Sequence, residues 1–449
     1  MTLLAIDWSS VGAKTLQFIL SFSIIVTLHE LGHYLTARWF KCRVEKFYLF
    51  FNPWFSLWKK KIGETEYGIG WIPFGGYVKI AGMIDESMDK EQMKQPPQPY
   101  EFRSKPAWQR LIIMVAGVVV NLLLGFFIYA MMLWHWGEEY LPTNKMTYGI
   151  VADSLAQSVG LRTGDKIESV DGKYVEKFRT IPLQVILHKA KTIEVNRNGQ
   201  NVVLQIPDDF RSKLIHYKDI NFISERMPFP SIGEVLDTSI AARSGLKKGD
   251  KILNVNGNPI TFFDDFKNQV QPNKGKNIAI TYLRNNDTLH TNLGVPETGM
   301  IGIANVDPTT LLPYQEVKYG FFESIPAGLR KCFETLESYW LQLKLIFSGE
   351  VKTSESLGSV ISIGNMYGSK IDWPNFWSLT AFFSLVLALM NILPIPALDG
   401  GHALFTIVEI ITKRKPSEKF MEYAQMAGMV LLLGLMVYAL GLDFMRIFK

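Results

Sequence analysis

Three long stretches of this 449-residue chain carry no charged side chain: 111–134, 375–398 and 423–442. Each is long enough to cross a hydrocarbon layer about 30 Å thick, which takes ~20 residues as a helix. A soluble domain seldom needs even one such run. Inside lipid only a helix or a closed barrel satisfies every backbone polar group, so these runs predict spanning helices. A fourth stretch, 15–40, is apolar through Leu28 and then carries His29, Glu30, His33 and Arg38. The expected fold is a multi-span α-helical membrane protein with four transmembrane helices, at 14–40, 107–136, 375–401 and 423–442.

A net charge of +5 is too mild to suggest nucleic acid, and no nucleic-acid partner is expected. The distribution of charge says more. Lys41, Arg43, Lys46, Lys59, Lys60 and Lys61 follow the first span, and Lys413, Arg414, Lys415 and Lys419 separate the last two. By the positive-inside rule both segments are cytoplasmic. Both termini and the stretch 137–374 then lie on the opposite face, the periplasm in a Gram-negative inner membrane. Cys42 and Cys332 fall on opposite faces, which argues against a disulfide between them, and two thiols make no zinc framework. The first span lacks a basic leader and a small-residue cleavage site, so it reads as retained.

The segment 41–106 contains a glycine- and aromatic-rich stretch, 68–80, that fits a twisted β-hairpin with Pro73 and glycines at turns or bulges. The stretch 85–99 is polar and proline-rich and reads as a linker. Beyond the second span comes a repeat. Residues 154–167 (SLAQSVGLRTGDKI) match 239–252 (SIAARSGLKKGDKI), and Asp171-Gly172 matches Asn256-Gly257 at the same offset of 85. Each copy reads as a short helix, a Gly-Leu stop, a Gly-Asp turn, a strand and a tight hairpin turn. The pattern is similar to the signature of PDZ domains in bacterial proteases, implying two external α+β PDZ domains at 140–222 and 223–307. Such modules capture peptides by strand addition or gate access. Residues 314–349 carry Phe321, Ile325, Leu329 and Phe333 at helical spacing, which suits a helix on a membrane surface or against a protein core.

The chemistry concentrates in the first and third spans. His29-Glu30-Leu31-Gly32-His33 fits H-E-x-x-H. On a helix, positions i and i+4 share a face, so both imidazoles can hold one zinc ion while the glutamate acts as general base. Ionisable groups inside a bilayer are costly unless they are functional. A third ligand is needed if the fourth position is to hold water. Asp399, directly after the uncharged run, is the candidate; a helix-ending Asp-Gly turn is its plainer reading. Pro394 and Pro396 should break the helix just before it. His29 lies ~15 residues along its span and Asp399 near the inner end of its own, so both fall towards the cytoplasmic side.

With H-E-x-x-H in the first span, N-x-x-P-x-P-x-L-D-G-G (391–401) in the third, and PDZ-like modules between, the chain resembles the site-2 proteases, intramembrane zinc metalloproteases. The resemblance implies one zinc ion on His29, His33 and Asp399, Glu30 as catalytic residue, and Asn391 holding substrate beside the metal. It also implies a re-entrant hairpin whose Gly75, Gly76 and Tyr77 meet an unwound substrate. The implied substrates are transmembrane segments of single-span proteins within the lipid bilayer, such as a pre-cleaved anti-sigma factor or remnant signal peptides. Two departures stand out: Gly117-Val118 precedes Asn121 where the family often has Gly-Pro, and Ser359-Val360-Ile361-Ser362 replaces Gly-Pro-Ile-Ser. The rival readings are a non-catalytic tandem-PDZ scaffold and an ion pathway. A transporter would show paired helix breaks in two halves, and the sequence shows one.

Overall fold

A computed structural model of the chain describes residues 7–83, 95–216, 222–349 and 358–447. Two compact units emerge, Met1–Gly137 with Lys318–Lys449, and Glu138–Val317.

In the first unit, four helices are long and apolar enough to cross a membrane: Trp8–Trp39, Ala107–His135, Trp373–Ile392 and Lys419–Arg446. We label the helices of this unit α1 (Trp8–Trp39), α2 (Ala107–His135), α3 (Phe321–Phe347), α4 (Trp373–Ile392), α5 (Asp399–Thr412) and α6 (Glu418–Ile447). Asp7 caps α1 by accepting from the Ser9 and Ser10 amides, and Asp372 caps α4 through Asn375. α2 is the central post, touching α1, α3, α4 and α5. It does so through small residues, as helices in lipid must. A Cβ on Gly32 would lie 2.7 Å from the Ala116 carbonyl oxygen, and one on Gly328 would lie 2.7 Å from the Ala130 amide.

The third span is not one helix over 375–401. α4 stops at Ile392 and α5 starts at Asp399. Pro394 and Pro396 remove two donors from the intervening turn, and Ala397 adopts a left-handed φ of 79°. The fourth span presses on this break: a Cβ on Gly428 would sit 1.8 Å from the Pro396 carbonyl oxygen. Lower on α6, buried Asp443 accepts from the amides and hydroxyls of both Ser359 and Ser362.

Between α1 and α2 lies a sheet of β1 (Val44–Phe51), β2 (Trp58–Ile62), β3 (Thr65–Ile69) and β4 (Ile72–Ile80), ordered β2-β3-β1-β4. The expected hairpin over 68–80 is therefore corrected: β3 and β4 flank β1 on opposite sides. β3 runs parallel to β1 up to the Leu49–Ile69 pair. The chain then crosses the end of β1, with Gly70 donating to Leu49 and Trp71 to Phe51, and returns antiparallel as β4. Only glycine fits at the crossing, since a Cβ on Gly70 would lie 2.2 Å from the Phe51 oxygen. β1, with Val44 and Tyr48 buried, holds the centre and leaves β4 as an edge. The expected linker 85–99 lies outside the described residues up to position 94.

α3 has one face in the core, where Cys332 packs with Ile128, Tyr129, Ala381 and Leu385. Its other face exposes Phe322, Phe333 and Phe347.

In the second unit one frame occurs twice. Ile150–Ala152 pairs with Ile223–Glu225, and Ile232–Val235 pairs with Ile303–Asn305. The strand Ile223–Glu225 thus closes on the first copy, beyond residue 222. Each copy has a second sheet, Lys166–Val170 with Thr192–Arg197 and Gln200–Gln205, or Lys251–Val255 with Asn277–Arg284 and Asp287–Gly294. The Gly-Asp turn of the repeat is locked identically in both. Asp165 accepts from the Arg162 amide and, bidentately, from Arg197, which also donates to Gly160. Asp250 accepts from the Lys247 amide and from Arg284, which also donates to Gly245.

Candidate metal centre

α1 sets His29 and His33 one turn apart, with ring centroids 4.9 Å from each other. Their Nε2 atoms are 3.3 Å apart. From the start of α5, Asp399 Oδ2 reaches 3.2 Å from His29 Nε2 and 3.3 Å from His33 Nε2. Ligand atoms at 2.0–2.2 Å from a tetrahedral zinc stand roughly 3.3–3.6 Å from each other. The triangle thus has the dimensions of one face of a zinc tetrahedron. Its donor chemistry agrees. Asp399 Oδ2 is shut off from solvent without a hydrogen-bond partner, and one shared cation would answer it together with the two imidazole nitrogens. Among the described residues, His29, His33 and Asp399 are the group of His, Cys, Asp and Glu able to share an ion.

Helix α2 supports this face from behind. The Ile113 carbonyl lies 2.8 Å from His33 Nδ1 and accepts its proton, which leaves the Nε2 lone pair for a metal. Gly117, one turn on, admits the rings: a Cβ there would lie 2.4 Å from His33 Nε2 and 2.6 Å from His29 Cε1. Asn121, a further turn on and wholly buried, puts its side-chain amide 3.1 Å from His29 Nδ1.

A cavity of about 460 Å³ opens in front of the triangle, lined in part by His29, Glu30, His33 and Asp399. Glu30 is half-buried there, its carboxylate facing the Val78 amide of β4. Gly76 and Tyr77 of β4 line the same cavity. Gly75 does not; its φ of +79° turns the strand, and a Cβ on it would strike the Phe51 ring. Asn391, on the last turn of α4, brings its amide nitrogen within 3.3 Å of His29 Nε2.

The structure thus brings together His29, Glu30, His33, Asn391, Gly76, Tyr77 and Asp399 from four elements. Sequence reasoning missed the supporting roles of Gly117 and Asn121, although their four-residue spacing repeats that of the two histidines. It also missed Gln425 of α6, which lines the cavity at 5% exposure.

Comparison with known proteins agrees with this geometry. Residues 17–435 match the profile of Peptidase family M50. The chain is similar to the regulator of sigma-E protease RseP of Escherichia coli K12, 30% identical over 454 residues, covering 96% of this chain and 98% of the relative. A candidate zinc metalloprotease of Vibrio cholerae is likewise 30% identical, over 465 residues, with the same coverage of both chains. The regulator of sigma E protease of Haemophilus influenzae is 28% identical over 467 residues, again covering 96% and 98%.

Proposed function

The chain belongs to peptidase family M50 and is a metalloprotease of the site-2 type; from that premise we propose that it is a zinc endopeptidase cutting the membrane-spanning segments of single-span proteins. The observation that carries this reading is the triangle of His29, His33 and Asp399 donor atoms, 3.2–3.3 Å on each side, at the head of a cavity between α1 and an edge strand.

In this reading His29, His33 and Asp399 hold one zinc ion. Zinc supplies the Lewis acidity that makes water a nucleophile at neutral pH and polarises the scissile carbonyl. Glu30 takes the proton from the attacking water and returns it to the leaving nitrogen. The Asn391 amide donates to the carbonyl oxygen as negative charge builds on it. β4 offers its free edge to the substrate, which must be unwound because an intact helix keeps its amides paired. Gly76 and Tyr77 stand where such a strand would pass.

The two β-rich copies in 138–317 serve as PDZ modules on the periplasmic face, filtering access to the cavity. Support comes from the second copy. There, Phe263, Phe266, Val270, Met300, Ile301 and Ile303 line an apolar groove of about 500 Å³ between a helix and a strand. Substrates would be chains already shortened by a first cut, such as an anti-sigma factor, or remnant signal peptides.

The test is cleavage of model transmembrane segments by purified full-length protein. Glu30→Gln is expected to keep about one zinc per chain while cleavage falls by about 10²–10⁴-fold. Undiminished cleavage by that variant would remove Glu30 from its role. Stoichiometric zinc in wild type without cleavage of any tested segment would favour a scaffold.

A further inference from the structure

His29 has two ring nitrogens, and the triangle commits Nε2 to the metal face. A neutral imidazole carries one N–H, so a metal on Nε2 requires the proton on Nδ1. What faces Nδ1 is the Asn121 carboxamide, with its nitrogen end at 3.1 Å. Two N–H groups cannot bond to each other. The other end of that amide, Oδ1, is buried without any hydrogen-bond partner. The two ends have nearly the same shape, so turning the amide end for end needs only a rotation about χ2. The turn replaces two opposed donors by an Nδ1–H···Oδ1 hydrogen bond and satisfies the orphaned oxygen.

We propose that Asn121 is the positioning residue for His29, its amide oxygen accepting the Nδ1 proton and so fixing the tautomer and ring plane that aim Nε2 at the metal. This rests on the zinc reading given above. The companion ligand has the same arrangement, with the Ile113 carbonyl receiving the His33 Nδ1 proton at 2.8 Å. Ile113, Gly117 and Asn121 follow at four-residue intervals along α2. They present a carbonyl, a gap and an amide to the two rings. The Asn121 backbone is itself held by α4, whose Ser384 hydroxyl donates to its carbonyl oxygen at 2.8 Å. Asn121 is therefore buried, anchored and pointed, as an outer partner of a metal ligand has to be.

The experiment measures zinc affinity, by chelator competition on purified full-length protein, for wild type, Asn121→Leu, Asn121→Asp and Asp399→Ala. Losing an outer-shell partner typically weakens metal binding 10–100-fold. Asn121→Leu is expected to show that loss, and Asn121→Asp, which keeps an acceptor facing Nδ1, is expected to bind zinc as tightly as wild type or tighter. Wild-type affinity in Asn121→Leu, or equal weakening in both variants, would overturn the assignment while Asp399→Ala still lost the metal. Zinc retained by Asp399→Ala would instead sink the metal-centre reading beneath it. Should Asn121→Leu fail to fold, Asn121→Asp decides alone: weaker binding than wild type overturns the proposal.

Discussion

Asp399 in the membrane unit and Asp165 and Asp250 in the β unit all withdraw carboxylate oxygens from water, and they are treated in opposite ways. Asp165 and Asp250 are each 1% exposed and receive an amide hydrogen bond and a bidentate arginine from their own copy of the repeat. Both of these carboxylates are answered from within the chain. Asp399 has an oxygen that no protein donor answers, facing two imidazole nitrogens. A carboxylate completed by its own fold is a fastener. One left incomplete beside two imidazole nitrogens has the chemistry of a metal ligand. Asp264 guards against a looser rule: its Oδ1 is also buried and unpartnered, but Arg226 flanks the other oxygen at 3.3 Å and no histidine converges on it.

The contrast can be broken at four places. Asp399→Ala should abolish zinc binding and cleavage together, while hydrogen exchange in 138–317 stays at the wild-type level; slower or faster exchange there would blur the distinction. Arg284→Met should do the reverse. It strands the Asp250 carboxylate and should destabilise the second β copy by about 3 kcal/mol, the low end for a broken buried pair. The low end applies because Arg284 keeps 26% of its side chain in water. Zinc content should not move, and protease resistance of the β unit reads the loss. Gly117→Ala should displace the imidazoles from behind and lower cleavage by about 10²-fold, the usual cost of a misplacement near 1 Å. Unchanged kinetics would mean α2 yields more easily than its close approach implies.

Asp264 gives the smallest effect and a pH signature. Burial raises its carboxyl pKa above the ordinary carboxylate value, with Arg226 offsetting only part of that. A raised folded-state value means the folded protein resists the ionised form. The group therefore costs stability at neutral pH, and the cost fades as pH falls through the folded value towards the unfolded one. Asp264→Asn should stabilise the β unit modestly at neutral pH and leave it unchanged in acid. Denaturant midpoints at both pH values check the sign.

The spans and the H-E-x-x-H pair were legible in sequence because both signals are local. A charge-free run long enough to cross lipid has few other uses, and two histidines four apart share a helix face wherever that helix goes. Asp399 was legible through Pro394 and Pro396, whose missing donors announce the break before it. The sheet order was not legible. It depends on β1 sitting between β3 and β4, a long-range pairing that the composition of 68–80 does not encode. Gly117 and Asn121 gain meaning only when α2 is laid against α1. The arginine locks escaped for a different reason: Arg197 and Arg284 are 87 residues apart while the matched stretches 154–172 and 239–257 keep an offset of 85, so a constant-offset comparison passes over them.

The last helix carries none of the three converging donors and not Glu30, yet it touches both the approach to the third span and the break within it. Asp443 staples the Ser359–Ser362 approach to α4, and Gly428 presses against Pro396 inside the break itself. α6 thus acts as a splint. A chain shortened before residue 418 would still carry His29, His33 and Asp399, but it would lose Gln425 from the cavity wall and the Gly428 contact that backs the break.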